Sequence, residues 1–163
     1  MFVNHLPNMG KQLLVGILLG VLSLHPSVSA SVSDAKALQE KAIQRIERYI
    51  DHFRRTFDRG SLRGELIRAQ GELKESIALF RRAGALDGAG AGHSLVKLGD
   101  SHRYLESWDA ARSAYEEAVR VAREAHAPAV ECKALLGQAR VHLYGKRKTG
   151  TALELVNQAL PLA

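Results

Sequence analysis

The stretch 98-LGDSHRYLESWDAARSAYEEA-118 decides how the chain is read. It holds the only Trp, two of the four Tyr and one of the seven His. Two readings compete: a site with His102, Tyr104 and Trp108 around a ligand, or the frame of a structural repeat. Internal register separates them. Gly64, Gly99 and Gly137 stand 35 and 38 residues apart. The offsets after Gly64 reach Gly71, Leu73, Ser76, Phe80 and Ala83; after Gly99 they reach Glu106, Trp108, Ala111, Tyr115 and Ala118. After Gly137 the pattern returns three residues late as Ala152, Val156 and Ala159, with the surplus placed in the turn 145–150. A small residue, a large one four later and a small one three after that thus occur three times. Each triplet falls on the second helix of an expected pair. The small residue lets a neighbouring helix approach, and the large one fills the hole beside it. A glycine in the first helix costs about 1 kcal/mol of helix propensity. It is tolerated where two backbones cross with no room for a Cβ.

Working outward, everything after Asp34 reads as helix broken by short turns, with no sustained strand-like alternation. Asp34 is placed to cap a first helix whose apolar residues Ile43, Ile46, Ile50, Phe53 and Phe57 step by 3 and 4. The turn 58-DRGS-61 ends it. Expected helices follow at 62–70 and 72–84 with Gly71 between them, then at 93–106, 108–125, 129–144 and 151–163. The last opens with Thr151 three residues before Glu154, a capping-box signature. The run 87-DGAGAG-92 lacks the Lys-Ser/Thr of a phosphate loop and has no strand before it, so it reads as a turn between repeats.

The pattern Leu95-x-x-Leu98-Gly99-x-x-His102, with Trp108, Ala111, Tyr115 and Ala118, resembles a tetratricopeptide repeat. The match is full over residues 92–127. It is partial in the flanking units, where Arg63 precedes Gly64 and 136-LG-137 is present. His102 stands where the family usually has Tyr, and Pro128 comes later than the family's closing proline. The resemblance implies an all-α fold, a stack of antiparallel helical hairpins with about three repeats over 58–163 and an extra N-terminal helix over 31–57. It also implies a groove, lined by the first helix of each pair, that holds a partner's peptide or helix. At matching positions that groove takes Ser61, Glu65 and Arg68 from the first pair. The second gives His93, Val96, Asp100, Arg103 and Tyr104; the third gives Glu131, Gln138 and His142. The Lys/Asn/Arg set with which some relatives hold a C-terminal carboxylate is not present at those positions.

Residues 1–30 are expected to be a signal peptide. One Lys precedes the apolar run 13-LLVGILLGVLSL-24, Pro26 breaks it, and 28-VSA-30 supplies the small residues of a cleavage site after Ala30. Twelve apolar residues fall short of the roughly 20 that a spanning helix needs. The expectation is therefore an exported chain, periplasmic or secreted, with membrane contact only through the leader if it is uncut. The net charge is +6, and Lys11 is the only charged residue of the first thirty. Basic residues are interspersed with acids except at 146-KRK-148. In an exported chain that balance points to acidic polymers, lipid headgroups or an acidic protein rather than nucleic acid. One cysteine, Cys132, excludes an internal disulfide and reads as a buried small hydrophobe.

The register gives Trp108, Ala111, Tyr115 and Ala118 to the core, and His102 to an aromatic core position. No nucleophile motif, paired carboxylates or zinc-helix spacing stands out, so no catalytic residue and no cofactor is assigned. The reading is a non-catalytic adaptor of the cell envelope that binds another protein. Self-association through the apolar 155-LVNQALPLA-163 is a further expectation. The alternative is a small-ligand or metal binder using His93, His102 and His142, although a metal site needs three or four converging groups.

Overall fold

The computed structural model describes residues 25–84 and 88–163. The apolar run of the expected leader lies outside them, as do residues 85–87. The described chain is helical: α1 (His25–Thr56), α2 (Arg63–Ala83), α3 (Gly88–Tyr104), α4 (Trp108–Glu124), α5 (Pro128–Arg140) and α6 (Thr149–Ala159). A π-turn, Val141–Gly145, widens the end of α5, and a 3₁₀ turn, Leu160–Leu162, follows α6.

These helices pair as α1/α2, α3/α4 and α5/α6, and the second helix of each pair packs on the first of the next. The small-large-small triplets explain why. Ser76, Phe80 and Ala83 are buried on α2, as are Ala111, Tyr115 and Ala118 on α4 and Ala152 and Ala159 on α6. The expected stack of hairpins is therefore the observed architecture.

The first hairpin is assembled differently from the expectation. Residues 62–70 and 72–84 are one helix, α2, running straight through Gly71. Its partner is α1, so the N-terminal helix is the first helix of the first pair. Burial explains the continuity: Leu66, Ala69, Leu73, Ser76, Phe80 and Ala83 form an unbroken stripe. Such a stripe outweighs the roughly 1 kcal/mol that a mid-helix glycine costs. Gly64 is consequently not the equivalent of Gly99 and Gly137. A Cβ there would meet nothing nearer than the Arg68 side chain at 3.9 Å.

Three further boundaries differ. Helix α1 is described over His25–Thr56, so Asp34 lies within the helix rather than at its cap. Its buried face runs through Ala35, Gln39, Ala42, Ile46 and Tyr49. Of the expected stripe, Ile46 is fully buried, Ile43, Ile50 and Phe53 are half-buried, and Phe57 is 80% exposed. The alanines carry the close contact and the larger side chains flank it. Helix α3 is described from Gly88 onward, so part of the glycine-rich stretch is helical. There Gly92 faces Val130 and the Ala118 carbonyl, with 3.0 Å from its Cβ position to Val130. Helix α6 begins at Thr149 after Lys148, without a side-chain cap, so Thr151 is not a capping residue.

Each reversal passes through one residue of positive φ: Phe57, Gly84, Glu106, His126 and Arg147. In two turns the backbone closes identically, Ser107 N–H donating to the His102 carbonyl and Ala127 N–H to that of Ala122, each at 2.9 Å. This is the pattern of a helix end closed by a left-handed residue. In the third, Lys148 N–H reaches the His142 carbonyl at 2.9 Å, one residue further, because the π-turn intervenes. Part of the surplus expected in 145–150 is thus taken up before Gly145.

The stack has two unequal sides. Helix α1 packs on α3, and α3 on α5, whereas α2 and α4 do not approach each other to the same extent, nor do α4 and α6. The first helices therefore lie on the tighter, inner side.

Candidate binding face

Two seams hold the inner face in place. Between the second and third hairpins the Tyr115 ring is clamped by glycine. A Cβ on Gly99 would come within 2.6 Å of Tyr115 Cε1, and one on Gly137 within 2.3 Å. Tyr115 is 0% exposed. Its hydroxyl donates to Asp100 Oδ1 at 2.7 Å, and burial followed by the Asp100 charge pushes the phenol well above its ordinary pKa. Trp108 packs in the same manner on Gly145, where a Cβ would lie 2.7 Å from the indole. Both large residues of the 98–118 stretch are framework.

The seam between the first and second hairpins is polar. Ser76 Oγ donates to the Ala35 carbonyl at 2.8 Å and lies 3.1 Å from Ser94 Oγ. Gln39 Nε2 reaches Ser94 Oγ at 2.7 Å and the Gly90 carbonyl at 3.1 Å. Ser101 Oγ donates to the Leu66 carbonyl at 3.3 Å. His102 belongs to this seam: its Nδ1 lies 3.2 Å from Gln70 Nε2, and burial, then Lys74, lowers its pKa.

Two clefts open between the first helices. One, of about 330 Å³, is lined by Tyr49 and Phe53 of α1, Arg103 and Tyr104 of α3, and Trp108, with Arg59, Glu106 and Tyr144 at the edges. Tyr49 meets Tyr104 edge-on at 5.7 Å between centroids. The Arg103 guanidinium lies 4.3 Å over the Tyr104 ring and the Arg59 guanidinium 5.4 Å over Phe53, both within cation–π range. Arg59 pairs with Glu106. The Arg103 Nε is buried and has no hydrogen-bond partner among the described residues, while Nη2 of the same guanidinium lies 3.8 Å from Asp100 Oδ1. The second cleft, of about 230 Å³, lies between α3 (His93, Val96, Lys97, Asp100) and α5 (Lys133, Leu136, Arg140). Burial, then Lys97 and Lys133, lowers the pKa of His93.

Five of the eleven expected groove residues are therefore on this face: His93, Val96 and Asp100 in one cleft, Arg103 and Tyr104 in the other. The other six are not. Ser61 sits in the turn before α2 with its hydroxyl on Asp58. Glu65 and Arg68 join an ion network along the α1/α2 hairpin, where Glu65 Oε2 accepts Arg45 Nη1 at 2.6 Å. Hydrogen bonds from Arg45 and then Arg48 hold the Glu65 carboxyl below its usual range. Glu131 pairs with Arg123 at 2.6 Å across the α4–α5 turn. Gln138 and His142 are half-buried and line neither cleft. The error in the first pair follows from taking α2 as its first helix, since the true first helix offers Tyr49 and Phe53 instead. Their spacing of four beside a turn was a usable signal. Lys97, Lys133, Arg140 and Tyr144 were missed for lack of a neighbour to set against them.

A third cleft, of about 470 Å³, lies between α5 and α6 and is apolar, with Leu136, Leu143, Leu153 and Val156 in its wall. Leu153 is 62% exposed. Among the described residues no three His, Cys, Asp or Glu side chains converge as a metal needs. His93 and His102 sit on different seams. Cys132 is half-buried against the core. No described helix is long and apolar enough to cross a membrane.

No match was found among curated proteins. Residues 92–128 match the family model described as tetratricopeptide repeat, a span that covers α3 from Gly92, α4 and the turn after them. The central hairpin thus matches a tetratricopeptide repeat, and hairpins packed in the same way flank it on both sides.

Proposed function

We propose that this chain is a non-catalytic scaffold that holds a segment of another protein along the inner face of α1, α3 and α5. The observation that carries the reading is the aromatic cleft, where five aromatic side chains and two guanidinium groups meet and one buried Arg103 donor is left unpaired among the described residues. Aromatic residues and arginine are the side chains that anchor protein interfaces most strongly. A groove set between rigid helices holds its partner without reorganising first. The test is capture of partners from the native extract by the wild-type chain and by Tyr104→Glu, with helicity checked by circular dichroism. A protein retained by the first and lost by the second supports the reading; identical profiles contradict it.

Export belongs to the same proposal. It is supported by the apolar run 13-LLVGILLGVLSL-24 and by the small residues 28-VSA-30 that follow it. Terminal sequencing of the protein recovered from cells checks it, with Ser31 the expected first residue.

A second reading concerns the apolar cleft of α5 and α6. Exposed Leu143, Tyr144, Leu153 and Leu160 favour docking of a second copy there. Sedimentation velocity should show dimers that Leu153→Glu abolishes. A monomer at all concentrations would remove this reading alone.

A further inference from the structure

The two inner clefts are unlike in shape but alike in charge. Together they present Arg59, Lys97, Arg103, Lys133 and Arg140 against two acids, Asp100 and Glu106. Both acids are already engaged: Asp100 accepts the Tyr115 hydroxyl and Glu106 pairs with Arg59. Among the described residues Lys97, Lys133 and Arg140 form no ion pair, although ion pairs are frequent elsewhere on this surface. The Arg103 Nε has no partner either. A buried guanidinium donor left unpaired carries the desolvation cost of that group with no hydrogen bond to offset it. A carboxylate is the group whose geometry a guanidinium matches best.

We infer that the partner segment is acidic, with one carboxylate meeting Arg103 in the aromatic cleft and another meeting Lys97, Lys133 and Arg140. This rests on the scaffold reading above and adds the chemistry of the partner. Spacing follows from α3. Lys97 and Arg103 are six residues apart, about 9 Å along the helix axis. That distance is spanned by roughly three residues of extended chain. The segment therefore carries acids two or three positions apart, with an apolar or aromatic side chain among them to pack on Tyr49 and Phe53. An acidic peptide is favoured over an anionic membrane because the unpaired donor is recessed among rings within a cleft, where a side chain reaches and a flat headgroup layer does not.

The probe is a fluorescein-labelled peptide of Glu spaced by Phe and Ser, compared with its Gln analogue of equal length and with vesicles containing phosphatidylglycerol. Anisotropy and the fluorescence of Trp108, the only tryptophan, report binding to the full chain. The Glu peptide should bind about tenfold or more tightly than the Gln peptide and weaken as salt approaches physiological strength. Lys133→Glu/Arg140→Glu, both at exposed positions, should lose most of that preference with helicity unchanged. Arg103→Met should lose it too. Equal binding of the two peptides, with Trp108 responding to both, overturns the acidic preference and leaves the scaffold reading standing. Binding of vesicles but of neither peptide overturns both, as does no binding at all.

Discussion

The two seams that join the hairpins do one task by different chemistry. Between the second and third, one aromatic ring is held between two glycines, and its hydroxyl is tied to Asp100. Between the first and second, small polar side chains lie over the crossing and tie three helices through Ser76, Ser94 and Gln39. The glycine seam is specified by volume and the serine seam by pairing. Volume leaves a mark in the sequence that pairing does not. Leu98-Gly99, Leu136-Gly137 and an aromatic between them can be aligned, whereas no spacing of Ser and Gln announces which will meet.

The largest expected effect breaks the glycine seam. Tyr115→Ala empties a fully enclosed site and should cost about 3–5 kcal/mol, read by chemical denaturation. Gly137→Ala is the converse. Its added Cβ overlaps the ring, an overpacking cost of about 1–3 kcal/mol against a helix-propensity gain of up to about 1 kcal/mol. A net loss is expected, and a gain would mean that the glycine is there for another reason. In the serine seam, Gln39→Ala leaves Ser94 and the Gly90 carbonyl without their donor and should cost about 1–2 kcal/mol. Gly71→Ala is the control: nothing lies within 4 Å of its Cβ position, so helix propensity alone acts and the change should stabilise by about 1 kcal/mol.

The smallest effect distinguishes the seams by pH. Burial lowers the pKa of His102 in the serine seam below its ordinary value of 6.5, so the unfolded chain takes up its proton first. Stability from this source is complete above about pH 6.5 and is lost as the pH falls toward the folded value. His93, lowered for the same cause, adds to the same window. The melting midpoint should fall between pH 7 and pH 5, and His102→Gln should flatten the profile while leaving the His93 part. Carboxylates such as Glu65, held low by Arg45, act only at more acidic pH. A midpoint independent of pH over that interval would contradict the burial of both histidines.

The central hairpin was legible because its aromatic and small residues recur at fixed offsets and its turns fall at visible breaks. Legibility failed in the first hairpin, where an exposed glycine interrupts propensity but not packing. Gly71 looks like a boundary in sequence, and only the stripe from Leu66 to Ala83 shows that the helix continues. That one boundary shifted the first pair by a helix, taking Glu65 and Arg68 out of the candidate face and bringing Tyr49 and Phe53 in. The expected groove positions on α3 line the two clefts because that helix was placed correctly. The charge of the face depends on Lys97, Lys133 and Arg140 forming no ion pair among the described residues, while Asp100 beside them is taken by Tyr115. That is a property of two helices together, and a single helical pattern does not reveal it.

The central claim is that the inner face of the first helices, and not the outer face of the second, is the working surface. Backbone amide shifts in the presence of the labelled Glu peptide test it most directly. The predicted result is a set of shifts confined to the α1 end around Tyr49 and Phe53, to α3 from His93 to Tyr104 and to α5 from Lys133 to Arg140. Shifts centred on α2, α4 or α6, or spread evenly over the surface, would contradict it.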